Sequence, residues 1–296
     1  MATLSVVIAW VNPRPLLEPV LEALRRQQPR PPDEIVIASR HDERTLSALR
    51  AAQPDLTILA APRTTPLPQL RSLALRQARG SIVAVLEDHC VPTTRWLHAI
   101  EERMATGCDI VAGPVENACG ERWRDWAAFL TEYAGALPPL LDAGATALPS
   151  NNMAYRRELL ANLCAVLERG RWESFYYAAL AARGVVIACD PAMLVYHRQP
   201  FDSWYFLRQR YHSGRAFAGM RGHDFTLAQR IVYALGSIVL PPLLIMRGLR
   251  TVVRKRRLVG RYLGCVPLIG VYVTAGAVGE IIGYLFGGGH SLEHVQ

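Results

Sequence analysis

No two of the six cysteines (Cys90, Cys108, Cys119, Cys164, Cys189, Cys265) stand in C-x-x-C spacing. That excludes a zinc ribbon and a disulfide framework, and it fits reduced, buried thiols in a cytosolic compartment. The N-terminus lacks a charged leader and a cleavage site and enters an apolar run at Leu4, so no signal peptide is expected. Acidic residues are missing between Arg247 and Arg261, a stretch that holds Arg247, Arg250, Arg254, Lys255, Arg256, Arg257 and Arg261. Aromatic residues are not interleaved with this basic run, which argues against stacking on single-stranded nucleic acid. Its place between two apolar segments favours anionic lipid, so no nucleic-acid partner is expected.

What is present is apolar and unevenly spread. The chain has 296 residues, a formal charge of +8 and 51% hydrophobic residues, with a mean hydropathy of +0.12. The length suits one large domain, or one domain with a smaller appendage. The hydrophobic excess is concentrated after residue 226, which points to a membrane-associated tail.

Leu4–Trp10 is a β-branched apolar run and reads as a buried strand. Asn12-Pro13 follows as helix cap and first helical residue, and Leu16, Leu17, Val20, Leu21 and Leu24 share one helical face; Pro19 lies inside that helix as a blemish. Glu34–Ala38, Leu56–Ala60 and the run opening at Ser81 read as further strands, with helices over Thr45–Ala52 and Leu67–Ala78 between them. This alternation predicts a doubly wound sheet whose strand ends share one edge. Trp10, the Ser39–Asp42 loop and Glu87–His89 would then line one crevice. Beyond it come a helix from Thr93 or Thr94, a strand over Asp109–Val115 and an aromatic stripe (Trp123, Trp126, Phe129, Tyr133) best read as core. A helix over Arg171–Ala182 ends at Gly184, and strands follow at Val185–Cys189 and Met193–Tyr196.

The apolar run from Ser81 breaks off at Glu87-Asp88-His89. Three ligand-type side chains at the carboxyl end of such a strand can hold a divalent cation, and through it a diphosphate. They can equally form a polar turn in which Asp88 or His89 caps the next helix. Asn151-Asn152 reads as a polar pocket edge or a capped turn. Glu173 near a helix start suits the helix dipole or a general base. Arg208, Gln209, Arg210, His212 and Arg215 are dense enough to meet phosphate.

Taken together, V-V-I-A-W-V-N, E-I-V-I-A, the segment from R-S-L-A-L-R-Q-A-R-G into S-I-V-A-V-L-E-D-H-C-V-P-T-T-R-W-L, S-N-N-M-A-Y-R-R, W-E-S-F, D-P-A-M-L-V-Y-H and Q-R-Y-H-S-G-R resemble the family 2 glycosyltransferases over roughly residues 4–215. The resemblance implies a GT-A fold, a doubly wound mixed sheet flanked by helices, and inverting transfer of a sugar from a nucleoside diphosphate sugar to a hydroxyl acceptor. UDP-sugar is the default donor and GDP-sugar the next. The family's acidic metal motif falls on Glu87-Asp88-His89, so Asp88 and His89 are the implied ligands of Mn2+ or Mg2+; imidazole suits Mn2+ better. Trp10, Asn12, Arg71, Glu87 and Asp88 are implied at the nucleotide, with Asp42 standing in for a loop acid. Asn151 and Asn152 are implied at the donor-sugar and acceptor edge, His197 with Arg208, Gln209, His212 and Arg215 at the diphosphate, and Glu173 as the base. A catalytically degraded nucleotide-sugar-binding or scaffold membrane protein is the rival reading. A nucleotidyltransferase is a weaker one, because Val11–Leu17 has no glycine for a phosphate loop.

The sugar-transfer domain is expected over residues 1–222 and a membrane-associated helical hairpin with basic loop 247–261 over residues 223–296. Ala228–Met246 and Tyr262–Phe286 are each long enough to span a bilayer, which takes about 20 residues. Cytosolic nucleotide sugars put the catalytic domain on the cytoplasmic face of a bacterial-type inner membrane, with a lipid-linked or cell-envelope acceptor. One full span would place the basic loop on the far side, against the positive-inside tendency. A helix broken at Pro241-Pro242, re-entrant or interfacial, is therefore the favoured form.

Overall fold

The computed structural model describes residues 2–12, 15–120, 122–140, 150–181, 185 and 187–295. The expectations placed on Pro13 and Gly184 lie outside the described residues. The chain forms two compact units, residues 1–118 with 136–199, and residues 119–135 with 200–296. The division therefore falls before α8 (Ser203–Arg221) rather than at residue 222, and α5 (Trp123–Tyr133) belongs with the C-terminal residues.

In the first unit a seven-stranded sheet has the order β3-β2-β1-β4-β8-β6-β9. Its strands are β1 (Leu4–Trp10), β2 (Glu34–Ser39), β3 (Thr57–Ala60), β4 (Ile82–Glu87), β6 (Ile110–Ala112), β8 (Asn152–Arg156) and β9 (Ile187–Cys189). The first four are parallel, and β8 runs antiparallel to both neighbours, which makes the sheet mixed. β1 and β4 are buried on both faces, as uninterrupted apolar runs in a covered parallel sheet should be.

The crossover helices are α1 (Leu17–Arg25), α2 (Glu43–Ala52) and α3 (Leu67–Gln77). α1 begins at Leu17, so Pro19 falls in the first turn, where its missing N–H has no intrahelical acceptor to disappoint. α3 buries Leu70, Ala74 and Leu75 in one core with Val7, Val36, Val83 and Leu163 of α6 (Leu160–Glu168).

Two local departures from the sequence pattern shape the site. Cys90–Pro92 is not a turn into a helix but a strand, β5, which pairs antiparallel with β10 (Val195–His197); α4 starts later, at Trp96, and runs to Ala105. The expected strand over Asp109–Val115 is two strands, β6 in the large sheet and β7 (Val115–Asn117) beside β10. The break is Gly113-Pro114: Pro114 has no N–H for a ladder, and a Cβ on Gly113 would lie 1.8 Å from the Met193 carbonyl oxygen.

Asn152 of β8 seals that break. Its Nδ2 donates to the carbonyls of Pro114 (2.9 Å) and Met193 (2.7 Å), and its Oδ1 accepts from Trp96 Nε1 at 2.9 Å. The side chain is fully buried and joins three segments distant in sequence.

In the second unit α9 (Leu227–Gly236), a 3-10 turn over Ser237–Val239 and α10 (Leu240–Arg254) follow one another, then α11 (Val259–Phe286). The α-helix is interrupted just before Pro241-Pro242 by the 3-10 turn, but the helical run continues from Leu227 to Arg254 and does not turn back there. Both prolines lie in the first turn of α10, and the Ser237 carbonyl accepts from the Leu240 N–H instead of from Pro241, which has none. Leu227–Arg254 and Val259–Phe286 are each long and apolar enough to cross a membrane by length and composition.

Asn152→Ala strands the Trp96 indole N–H and two buried carbonyls, and is expected to destabilise the first unit by about 3 kcal/mol. Chemical denaturation followed by tryptophan fluorescence measures this; a wild-type midpoint refutes the clamp.

Candidate functional site

The site lies at the carboxyl edge of β1, β2 and β4, where parallel register sets Trp10 opposite Ser39 and Ala9 opposite Glu87. Ser39 Oγ donates to the Trp10 carbonyl (2.9 Å) and accepts from the His41 N–H (3.2 Å). This turn brings the Trp10 and His41 rings to 4.2 Å between centroids. Trp10 Nε1 and His41 Nε2 are buried there without a hydrogen-bond partner. Burial pushes the His41 pKa down, against the pull of the Asn12 backbone.

Asp88 is almost wholly buried, and its oxygens are engaged within the protein. Oδ2 accepts the N–H groups of Val11 (3.0 Å) and Asn12 (2.8 Å), which fixes the exit of β1. Oδ1 lies 2.8 Å from His89 Nδ1. A carboxylate on one imidazole nitrogen sets the tautomer and leaves the other nitrogen as a lone-pair donor, the usual arrangement behind a metal-binding histidine. His89 Nε2 sits 3.4 Å from Glu87 Oε2, so two electron-pair donors face each other. Glu87, His89 and Cys90 together place one ligand atom each within 4.8 Å of one another. Among the described residues the ligand atoms that converge are those of Glu87, His89 and Cys90; Asp88, expected as a ligand, has its oxygens on the Val11 and Asn12 N–H groups and on His89.

The β5–β10 pairing sets His197 opposite Cys90. The His89 and His197 rings meet edge to face at 4.6 Å. Burial, and then the neighbouring His89, push His197 well below the ordinary histidine pKa, which leaves it a neutral imidazole.

Beside this cluster runs a buried ion network. Arg71 of α3 donates through one nitrogen to Glu87 Oε1 (2.6 Å) and through another to Glu173 Oε1 (2.7 Å). Burial works against the guanidinium's charge, but the two carboxylates outweigh it and raise its pKa. Glu173 opens α7 (Glu173–Ala181), so its charge also meets the helix dipole favourably. Its second oxygen, Oε2, is buried with no hydrogen-bond partner. Tyr177, one turn on, hydrogen-bonds Tyr155 of β8, and burial holds both phenols far above their ordinary pKa.

Asn151 Nδ2 lies 3.5 Å from Cys90 Sγ, and its Oδ1 is buried and unpartnered. Asn152, expected beside it at the sugar edge, spends its amide on the three bonds of the clamp. Asp42 caps α2 by accepting from the Thr45 N–H (2.9 Å) and hydroxyl (3.0 Å), and those bonds lower its pKa. Arg208, Gln209, His212 and Arg215 lie on α8 in the second unit. There His212 Nδ1 meets Ser291 Oγ at 3.2 Å, and Arg215 Nε donates to the Gly287 carbonyl at 3.2 Å.

Sequence reasoning missed Cys90 as a donor and His41 as the ring on Trp10. The signal for Cys90 was its place directly after Glu87-Asp88-His89; for His41 nothing in the spacing distinguished it from the rest of the Ser39–Asp42 loop.

The family described as Glycosyl transferase family 2 matches residues 5–164, more than half of the chain. No curated protein matches. Among solved structures, the mannosyltransferase PcManGT from Pyrobaculum calidifontis, in complex with GDP-Man and Mn2+, superposes with a TM-score of 0.57 at 20% identity, covering 95% of this chain and 87% of that one. S. aureus TarS 1-349 gives 0.51 at 14% identity, covering 96% of this chain and 90% of that one. At these identities the likeness establishes the fold, which is of the GT-A type.

Arg71→Leu leaves the buried Glu173 carboxylate and the partly exposed Glu87 carboxylate without their counter-ion, and is expected to cost about 3–5 kcal/mol. Adding Glu87→Gln and Glu173→Gln should recover most of that loss. Denaturant midpoints of the single and triple variants check this; a triple variant no more stable than the single one contradicts it.

Proposed function

Because the chain belongs to glycosyl transferase family 2, we propose that it moves a sugar from a nucleoside diphosphate sugar to a hydroxyl acceptor with inversion at the anomeric carbon. The observation that carries this reading is the Glu87, His89 and Cys90 donor set at the carboxyl end of β4, with Glu173 tied to Glu87 through Arg71. UDP-sugar is the first candidate donor. GDP-sugar is the second, in keeping with the GDP-Man bound to PcManGT.

A divalent cation, with Mn2+ favoured by the imidazole donor, would be held by Glu87, His89 and Cys90 and would neutralise the charge gathering on the departing diphosphate. The chain's own groups do the rest. Asp88 holds His89 in one tautomer and orientation. Trp10 Nε1 and His41 Nε2 offer the nucleoside two hydrogen-bonding nitrogens that have no partner among the described residues. Asn151 Oδ1 offers an acceptor to a sugar hydroxyl in the same way. Arg71 fixes one oxygen of Glu173, which leaves Oε2 to take the acceptor hydroxyl's proton. The hydroxyl oxygen forms the new bond to the anomeric carbon as the bond to the diphosphate oxygen breaks, and the nucleoside diphosphate leaves with that electron pair.

The second unit, with its apolar helices, is proposed to attach the chain to membrane lipid, and a lipid-linked acceptor fits such a location.

A panel of UDP- and GDP-sugars with and without Mn2+ tests the reading by thermal shift. At a hundredfold excess over Kd a ligand stabilises the folded chain by about 2.7 kcal/mol. The midpoint should rise when the right nucleotide sugar and Mn2+ are present together; no shift with any of them sinks the assignment. Glu173→Gln should keep that shift and lose turnover by about 10²–10⁴-fold, and unchanged turnover moves the base elsewhere.

A further inference from the structure

We propose that the second unit lies in the plane of the membrane, with the outward stripe of α9 and α10 set into an anionic lipid leaflet, and that neither long apolar helix crosses the bilayer. The inference rests on the lipid attachment proposed above and specifies its form. Three observations carry it.

The first is that charged helices pack along α11, while Leu263, Val271, Val278 and Leu285 stay exposed on its remaining face. Along its C-terminal half α8 approaches at backbone distance: a Cβ on Gly214 would lie 2.2 Å from the Gly276 carbonyl oxygen, one on Gly279 2.1 Å from that of Tyr211, and one on Gly283 2.4 Å from that of Arg215. Along its N-terminal half lies α5, with the Trp123 ring against Gly264, Cys265 Sγ on the Trp123 carbonyl at 3.7 Å, and Arg261 stacked over Trp123 and Trp126. Both covering helices are charged, and they are joined to each other by the ion pair Arg210–Glu132 at 3.3 Å. If α11 spanned a bilayer, this pair and the neighbouring Arg208 and Arg215 would be carried into hydrocarbon alongside it, where ionised side chains are most costly.

The second is the face that remains. α9 and α10 pack on α11 from the other side, with Ala234 and Val252 turned inward. Leu227, Ile231, Leu235, Ile238, Leu243 and Met246 are exposed, with Leu235 at 61% and Ile238 at 62%, and exposed Val232 and Val239 widen this face. An exposed apolar face that gives way to exposed arginines on the same helix is the form of an interfacial helix.

The third is charge. Arg247, Arg250 and Arg254 are exposed and continue the same stripe beyond Met246, with exposed Arg256 just after the helix. The other members of the basic run are not available to lipid in the same way: Lys255 is buried and donates to the Gly135 carbonyl at 2.8 Å, and Arg261 lies on the two tryptophans. Guanidinium groups at the end of an apolar stripe, with no acid between residues 247 and 261, match anionic headgroups. An in-plane arrangement also leaves no loop on the far side, so the positive-inside conflict does not arise.

Flotation of the full chain with phosphatidylcholine vesicles, with and without phosphatidylglycerol, tests the attachment. The chain should float with the anionic vesicles and be released by high salt. Arg250→Ala with Arg254→Ala should weaken partition about thirtyfold, at about fivefold per lost charge. Sidedness tests the in-plane form. Thr106→Cys, exposed in the first unit, and Gly260→Cys, where a Cβ meets nothing, are labelled in sealed membrane vesicles with an impermeant maleimide and read by peptide mass. Both should react from the same side. Reaction from opposite sides means a crossing and overturns the in-plane form while leaving attachment intact. Absence of flotation with any vesicle overturns attachment itself, and a concentration-dependent dimer would then identify a second copy as what covers the stripe. The nucleotide-sugar thermal shift reads the first unit's function separately from all of these.

Discussion

A single guanidinium ties together the elements on which the first unit's chemistry depends. Arg71 comes from α3, Glu87 from the end of β4 and Glu173 from the start of α7; Arg71 and Glu173 are buried and Glu87 is partly exposed. A buried cation between two such anions is no bargain in stability, because desolvation opposes their attraction. What the arrangement secures is position. Glu87 Oε1 and Glu173 Oε1 are both taken by Arg71, so each carboxylate presents its other oxygen: Glu87 Oε2 toward His89, and Glu173 Oε2 with no internal partner. The free oxygens of both carboxylates are thereby aimed by one side chain.

Asp88 plays the matching part on the other flank. It gathers the backbone N–H groups after β1 with one oxygen and orients His89 with the other. The exit loop of β1, which follows Trp10, and the imidazole beside Glu87 share this carboxylate. The short β5–β10 ribbon then sets His197 opposite Cys90 and against His89. A strand of three residues is enough for this because its register is fixed from both sides: the His89 carbonyl accepts from the Arg198 N–H, and the Leu194 carbonyl from the Thr93 N–H.

The parallel strands were legible in the sequence because strands buried on both faces are built on apolar runs, and β1, β2 and β4 carry V-V-I-A, I-V-I-A and I-V-A-V-L. The acidic end of β4 was legible because Glu, Asp and His have no place in a buried ladder. What the chain order hid was partnership. Arg71 and Glu173 lie 102 positions apart, and Asp88 is 76 and 77 positions from the backbone groups it accepts; backbone donors leave no trace in residue type. Asp88 was therefore read as a ligand from its side chain alone, without its bonds to the Val11 and Asn12 N–H groups. Asn152 was read as a pocket residue because amides suit sugars, though an amide suits stranded carbonyls equally well. The Pro241-Pro242 pair was read as a break, but prolines in a helix's first turn give up only hydrogen bonds that turn does not make. The division of the chain was misjudged for a related reason: α5 joins residues far beyond it through Asp125, whose Oδ1 takes the Phe201 N–H at 2.9 Å.

The glycines between α8 and α11 carry a consequence for how this chain can vary. Where Gly214 faces Gly276, a methyl group would stand 2.2 Å from a carbonyl oxygen, and Gly279 and Gly283 are no roomier. Drift along that seam is closed to every other residue type unless the helices part. The outward stripe of α9 and α10 answers only to a preference for apolar character, and Leu, Ile, Val and Met can trade places there at little cost. Two helical surfaces within one small unit thus age at very different rates, the inner one frozen residue by residue and the outer one preserved only in its average.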